Sequence, residues 1–241
     1  MAAEPTISIA IETSCRRGGV ALGLGDELAR TIAFDASSRH ATHLISRLNE
    51  LLAGAGRRPT DVNEAYVSVG PGSFTGVRVG VTVARTLGQA IPHLRLVAVP
   101  TPLAVAENVR HLDWEHLGVI LDAKEGLVHA SLLARRGEQI AFAAAPAVLT
   151  PQEFLATAPR PVLLVGEGLG YQGVEDFQAD GVRVVDPDRL ELHLPTAEGV
   201  WRVGRRMALA GQFTDYPRLL PVYARKPEAI RLWERRRGEI G

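Results

Sequence analysis

Apolar and polar positions alternate between two rhythms along this chain, and the switches between them outline its elements. Residues 7–11 form a short β-branched apolar run, the signature of a buried strand. Gly18 and Gly19 punctuate, residues 20–24 repeat the strand pattern, Gly25-Asp26 turns the chain, and residues 28–34 give a third strand. Three consecutive strands with tight turns predict an antiparallel meander. The period then changes. Leu44, Ile45, Leu48, Leu51 and Leu52 share one face of an amphipathic helix, which Gly54 and Gly56 end, with Pro59 beyond. Residues 65–69 read as a strand, Gly70-Pro71-Gly72 as a turn, 74–90 as a long helix, 96–99 as a strand and 102–109 as a helix.

The order then restarts. Residues 118–122, 127–133 and 139–144 predict three more strands, followed by a helix at 151–158, strands at 162–165 and 182–185, and a helix at 197–209. No residue-level repeat accompanies this, but the element order does repeat. A duplicated βββαβα unit predicts an α/β fold of two lobes, on the plan of the actin-like ATPase and sugar-kinase superfamily. The expected division is a first lobe at 1–99, a second at 100–223 and a charged tail at 224–241.

The helix at 74–90 carries Gly76, Gly80, Ala84 and Gly88 at four-residue intervals, a small-residue stripe along one side. An interior helical glycine costs about 0.5–1 kcal/mol relative to alanine, so such a stripe implies another backbone packed close to it. That backbone could belong to the chain's own sheet or to another chain. The glycines before the helix suggest an anion site at its N-terminus, but the Lys-Ser/Thr ending of a phosphate loop is missing and the dinucleotide spacing does not match. Ser73 or Thr75 capping the helix is the better reading.

Charge and composition narrow the chemistry. Lys plus Arg equals Asp plus Glu at 27 each, so the chain lacks the basic excess with which a protein grips RNA unaided. Cys15 is the sole cysteine, which rules out an intrachain disulfide and a thiolate zinc cluster. The opening residues lack the basic start and apolar core of a signal peptide, and no stretch reaches the ~18 apolar residues of a membrane span, so a cytoplasmic location is expected. His40 and His43 can share one side of a helix start, yet Ala41, Thr42 and Leu44 supply no further ligand, so no metal site is expected there. There is neither a His-Glu-x-x-His nor a Gly-x-Ser-x-Gly motif, which argues against a protease. In the tail, Arg225, Lys226, Arg231, Arg235, Arg236 and Arg237 outnumber Glu228, Glu234 and Glu239, the pattern of a solvated or disordered end, with a minor electrostatic contact to RNA or an acidic partner patch as the alternative.

The segment at 70–90, GPGSFTGVRVGVTVARTLGQA, resembles the signature of the TsaB (YeaZ) family. The resemblance spans nearly the whole chain. It includes Ile9 to Ser14 at the opening strand, residues 39–52 at the first helix, Leu121-Asp122-Ala123-Lys124-Glu125-Gly126 at a hairpin where Lys124 replaces the family's arginine, and Pro221-Val222-Tyr223-Ala224-Arg225 near the end. The catalytic paralogue, the TsaD type, shares the opening strand but carries a metal-binding His-x-x-x-His pair where this chain has Val97 to Val105 without histidine. His111 and His116 lie five apart and do not replace that pair. The resemblance therefore implies a non-catalytic subunit that binds and activates a TsaD-type catalyst, with a TsaE-type ATPase, for transfer of threonylcarbamoyl to the adenosine beside the anticodon of tRNA.

By that resemblance the first two helices form a bundle with the partner. His40, His43, Leu44, Leu48, Leu51, Val77, Gly80, Val81 and Ala84 are expected to contribute to it. The same surface would let the free chain pair with itself. tRNA contact would fall mainly to the partner. No tightly bound cofactor is implied; ATP or ADP could sit at the complex boundary, and Thr13 and Ser14 are the residues that could reach its phosphates. The alternative is a small ATP-dependent kinase or hydrolase of the same fold acting alone.

Overall fold

The computed structural model describes residues 5–35, 40–223 and Trp233, with side chains in the first helix described from Leu44 onward. The meander is present: β1 (Ile7–Glu12), β2 (Arg17–Leu24) and β3 (Glu27–Asp35) pair antiparallel, with Ile9 opposite Leu22 and Glu12 opposite Gly19. Next come α1 (His40–Ala53), β4 (Glu64–Gly70), α2 (Phe74–Ala90) and β5 (Arg95–Pro100). Strand β4 lies parallel to β1, Ile11 opposite Val67, and β5 lies parallel to β4, giving a five-stranded sheet in the order β3-β2-β1-β4-β5. All six residues of β1 are buried, because both faces of this central strand are covered.

The second half repeats the scheme after α3 (Thr101–Asn108). Strands β6 (His116–Asp122), β7 (Val128–Arg136) and β8 (Gln139–Phe142) form the second meander, and β9 (Ala147–Leu149) pairs back onto β7. Helix α4 (Pro151–Thr157), β10 (Val162–Val165), α5 (Gly168–Gln172), β11 (Val182–Val184), α6 (Leu190–His193) and α7 (Ala197–Leu209) complete it. The second sheet runs β11-β10-β6-β7-β8, again with parallel strands beyond the meander. Two lobes of α/β structure with the same internal order match the fold class expected from the pattern.

The lobes share material. On one side of the first sheet, Ile9, Ile11, Val20 and Val67 pack against α1 and α2; on the other, Ala10, Ala21, Tyr66 and Val97 pack against Val200, Trp201 and Val203 of α7. Helix α3 sends Ala104 to that second core, and its Val105, with Val109 just past its end, joins the core of the second sheet beside Leu117, Val119 and Leu133. So α7, from the second half of the sequence, seals the first sheet. The chain beyond α7 stays with the first lobe as well: the Thr214 amide donates to the Leu96 carbonyl, and Leu219 is buried in the first core. The last strand of the first sheet ends at Pro100, while residues 197–223 pack back against that sheet.

Candidate functional site: the signature turn and the outer face of its helix

Strand β4 ends at Gly70, whose φ of 103° is open to glycine and strained for other residues. Any Cβ there would run into the Val222 carbonyl, and the Val222 amide donates to the Val69 carbonyl at 2.7 Å. The signature turn is thus pinned by the strap of residues 214–223. Ser73 caps α2 by accepting from the Gly76 amide at 3.3 Å.

The small-residue stripe faces inward. A Cβ on Gly72 would strike the Ser14 carbonyl, one on Gly76 the Thr13 carbonyl, and one on Gly80 the Thr13 hydroxyl. The Ser73 amide donates to the Ser14 carbonyl at 2.6 Å, and the Thr13 hydroxyl donates to the Gly76 carbonyl at 2.8 Å. For Gly72 and Gly76 the close backbone is the chain's own, at Thr13 and Ser14 just after β1. The start of α2 occupies the concavity beside the β1–β2 hairpin, and Thr13 and Ser14 are enclosed. The nucleotide contact expected at Thr13 and Ser14 is therefore not offered at a surface.

Beneath this turn lies a buried polar cluster. Glu12 accepts from the Ser14 amide through Oε1, while its Oε2 and the Ser14 hydroxyl have no hydrogen-bond partner among the described residues. Ser68 shares a 2.9 Å hydrogen bond with Thr101 at the start of α3. Burial pushes the Glu12 carboxyl up to about 7, against the pull of the Ser14 amide. Burial likewise pushes the Cys15 thiol well above the usual range; its Sγ donates to the Arg17 carbonyl at 3.1 Å, so it is no thiolate nucleophile.

The histidines stay apart. His111 is exposed and His116 half-buried, His129 is buried with its pKa lowered by burial, and His193 is held between the Gly166 amide at 3.1 Å and the Asp186 carbonyl at 3.0 Å. Among the described residues no group of three or more His, Cys, Asp or Glu could hold a metal ion, and no helix is long and apolar enough to cross a membrane.

The two helices expected to meet a partner divide differently from the expectation. Leu44, Leu48, Leu51, Val77, Gly80, Val81 and Ala84 are buried in the first lobe's own core. The reason is register: these positions form the stripe that faces Ile9, Ile11 and Val67, and one stripe cannot cover the sheet and a partner together. His40 begins α1, but the side chains of His40 and His43 lie outside the described residues, as do residues 224–232 and 234–241 of the tail.

What the helices turn outward is a different set. Ile45 is 46% exposed and Phe74 39%, and Val79 and Val83 are half-buried, each packed in part against the first core. Thr75, Arg78, Val79, Thr82 and Val83 line a shallow cavity of about 380 Å³ on α2. The Phe74 ring stands 4.8 Å from that of Tyr223, and the Arg78 guanidinium lies 5.2 Å from the Phe74 centroid. Sequence reasoning passed over Val79 and Val83, although their four-residue spacing was a second apolar stripe, offset from the stripe of Val77, Val81 and Ala84.

With this geometry in place, known proteins supply the comparison. Residues 34–180, more than half of the chain, match a family model described as TsaD: tRNA N6-adenosine threonylcarbamoyltransferase. The tRNA threonylcarbamoyladenosine biosynthesis protein TsaB of Bacillus subtilis (strain 168) is 29% identical over 230 residues, covering 93% of this chain and 96% of that protein. The Escherichia coli (strain K12) protein of the same name is 28% identical over 203 residues, covering 77% and 80%. Among solved structures, YeaZ from Pseudomonas aeruginosa superposes with a TM-score of 0.77 at 25% identity over 90% of this chain and 99% of that one. A shared fold, near end-to-end relatives and the intact signature turn converge: this chain belongs to the TsaB (YeaZ) family.

Proposed function

We propose that this chain serves in the formation of threonylcarbamoyladenosine in tRNA as the non-catalytic partner of a TsaD-type catalytic subunit. One observation carries the reading. The signature helix turns Gly76 and Gly80 onto Thr13 and leaves Phe74 exposed and Val79 and Val83 half-buried at an outer cavity, while Ile45 of α1 is exposed as well. Exposed apolar side chains on two neighbouring helices suit packing against helices of another chain. The Cys15 thiol, raised by burial well above its usual range, fits a reading in which the partner carries the chemistry.

In this role the catalyst, with a TsaE-type ATPase, transfers threonylcarbamoyl from its adenylate to N6 of the adenosine beside the anticodon, in the cytoplasm. The present chain contributes docking energy and holds the catalyst in its active form. The balanced charge supports a reading in which most of the tRNA contact falls to the partner. In the partner's absence the same face would join two copies of this chain. ATP or ADP, where it enters, belongs at the boundary with the catalyst, because Thr13 and Ser14 are enclosed.

The test is reconstitution. The purified chain, a cognate TsaD-type subunit and both together are assayed for association and for tRNA modification. The expected result is an inert chain that binds the catalyst and restores modification. Stoichiometric ATP turnover by the chain alone would support the kinase or hydrolase alternative, and indifference to the catalyst would overturn the partner role.

A further inference from the structure

Helix α2 contains no acidic residue, and its two cations, Arg78 and Arg85, stand seven positions apart, within about 20° of each other around the helix. Arg78 is exposed and Arg85 half-buried, and Thr75, Thr82 and Thr86 on the same arc are exposed. Neither arginine has an ion-pair partner among the described residues. Arginines elsewhere do find acids: Arg205 lies 2.7 Å from Asp26, and Arg58 lies 3.0 Å from Asp61. On α1 the one acid, Glu50, is already taken by Arg47 at 2.6 Å and by Arg30 at 3.8 Å. In a chain of zero net charge, the outer side of α2 is therefore a local positive surplus. We propose that this side of α2 selects its occupant by charge: it takes a protein helix whose apolar face is bordered by carboxylates, one near Arg78 and one near Arg85, and disfavours a second copy of itself.

Two arguments carry this. The first is desolvation. An apolar helix laid over Val79 and Val83 would strip water from the neighbouring guanidinium groups, and a charge so covered needs a partner. A carboxylate on the incoming chain supplies it, and Arg78 is set up for that contact. Its guanidinium lies 5.2 Å from the Phe74 centroid, and the Phe74 ring is 4.8 Å from that of Tyr223, so less side-chain freedom remains to be lost on pairing. The second is symmetry. In a two-fold pair every contact occurs twice. Two antiparallel copies of α2 crossing near Thr82 would set each Arg78 opposite the other copy's Arg85, four cations with no acid from either helix. Salt should thus act in opposite directions, weakening an acidic partner and strengthening self-pairing.

Only the identity of the acidic partner rests on the reading that a TsaD-type subunit docks on α1 and α2; charge selection itself does not. Arg78→Glu combined with Arg85→Glu turns the full chain into an acidic counterpart of itself, with Phe74, Val79 and Val83 unchanged. The parent, the variant and an equimolar mixture are compared by sedimentation. At about 50 mM salt the mixed pair is expected to be at least about tenfold tighter than either like pair, and near 1 M, where the screening length is about 3 Å, the preference should vanish. Mixed pairing no tighter than like pairing at low salt, or absent, overturns the proposal. Should that variant fail to fold, Arg78→Gln with Arg85→Gln is expected to strengthen like pairing about fivefold at low salt, and unchanged pairing overturns it. Against a TsaD-type subunit the glutamine pair should bind about tenfold more weakly at low salt and with a flatter salt dependence. Binding equal to the parent's, with equal salt dependence, overturns the proposal and leaves the partner role standing. If the parent itself ignores the subunit, the partner role fails and the mixed pair alone decides charge selection. Binding of tRNA by the free parent that the glutamine pair abolishes would assign the arginines to phosphate and overturn it as well.

Discussion

Glu12 has an ordinary place in the opening strand and an unusual environment. Its carboxyl is buried, near Glu167 and against the Ser14 turn, with one oxygen unpartnered among the described residues. Burial raises its pKa from 4.5 to about 7. The folded chain therefore binds this proton more tightly than the unfolded chain, and stability from this group is largest below about pH 4.5 and falls as pH rises to about 7. A shift of this size corresponds to roughly 3 kcal/mol at most across that window. Glu12→Gln keeps an acceptor for the Ser14 amide and removes the titration. Urea unfolding of both proteins from about pH 5 to about pH 8 is expected to show the variant gaining on the parent by up to about 3 kcal/mol. Parallel profiles would mean that Glu12 titrates normally in the fold.

At the scale of elements, the glycines of α2 and α5 look alike in sequence and differ in structure. Gly76 faces a backbone carbonyl of Thr13 that cannot swing aside, so Gly76→Ala must push the helix away from the turn after β1. The expected cost is about 3 kcal/mol or more, read as a lowered urea midpoint. Gly170, inside α5, is the contrast, because a methyl group there would meet nothing within 4 Å. Gly170→Ala should stabilise by about 0.5–1 kcal/mol. If the two substitutions cost the same, the close approach is not what demands glycine at Gly76. This pair also shows what the sequence could carry. Strong periodicity placed α1, α2, α7 and both meanders, because a buried face writes itself at fixed spacing. Short elements such as β9, α5 and α6 have too few residues to show a period, and β2 begins at Arg17, ahead of its apolar run, because pairing with β3 continues through glycines. The stripe of small residues announced a close contact, yet spacing could not say whose backbone made it.

On the scale of the whole molecule, the two faces of α1 and α2 must answer to different tasks, and substitution can separate them. Leu48 is 5% exposed and packs in the first core, so Leu48→Ala removes buried methyl groups and should cost about 2–5 kcal/mol in folding. Whatever binding it loses should return in conditions that restore the fold. Val83 lines the outer cavity, half-buried, with part of its side chain against the first core. Val83→Glu should cost about 1–2 kcal/mol in folding and leave the chain folded. Placed in the centre of a helix-packing interface, the same charge would be desolvated without a partner, and a loss of at least about tenfold in affinity for a TsaD-type subunit is expected. The decisive comparison is both variants measured for thermal unfolding and for affinity under one condition. Loss of binding by a well-folded Val83→Glu chain assigns docking to the outer stripe, whereas full binding by that chain removes α2's outer face from the interface and with it the main support for the partner role.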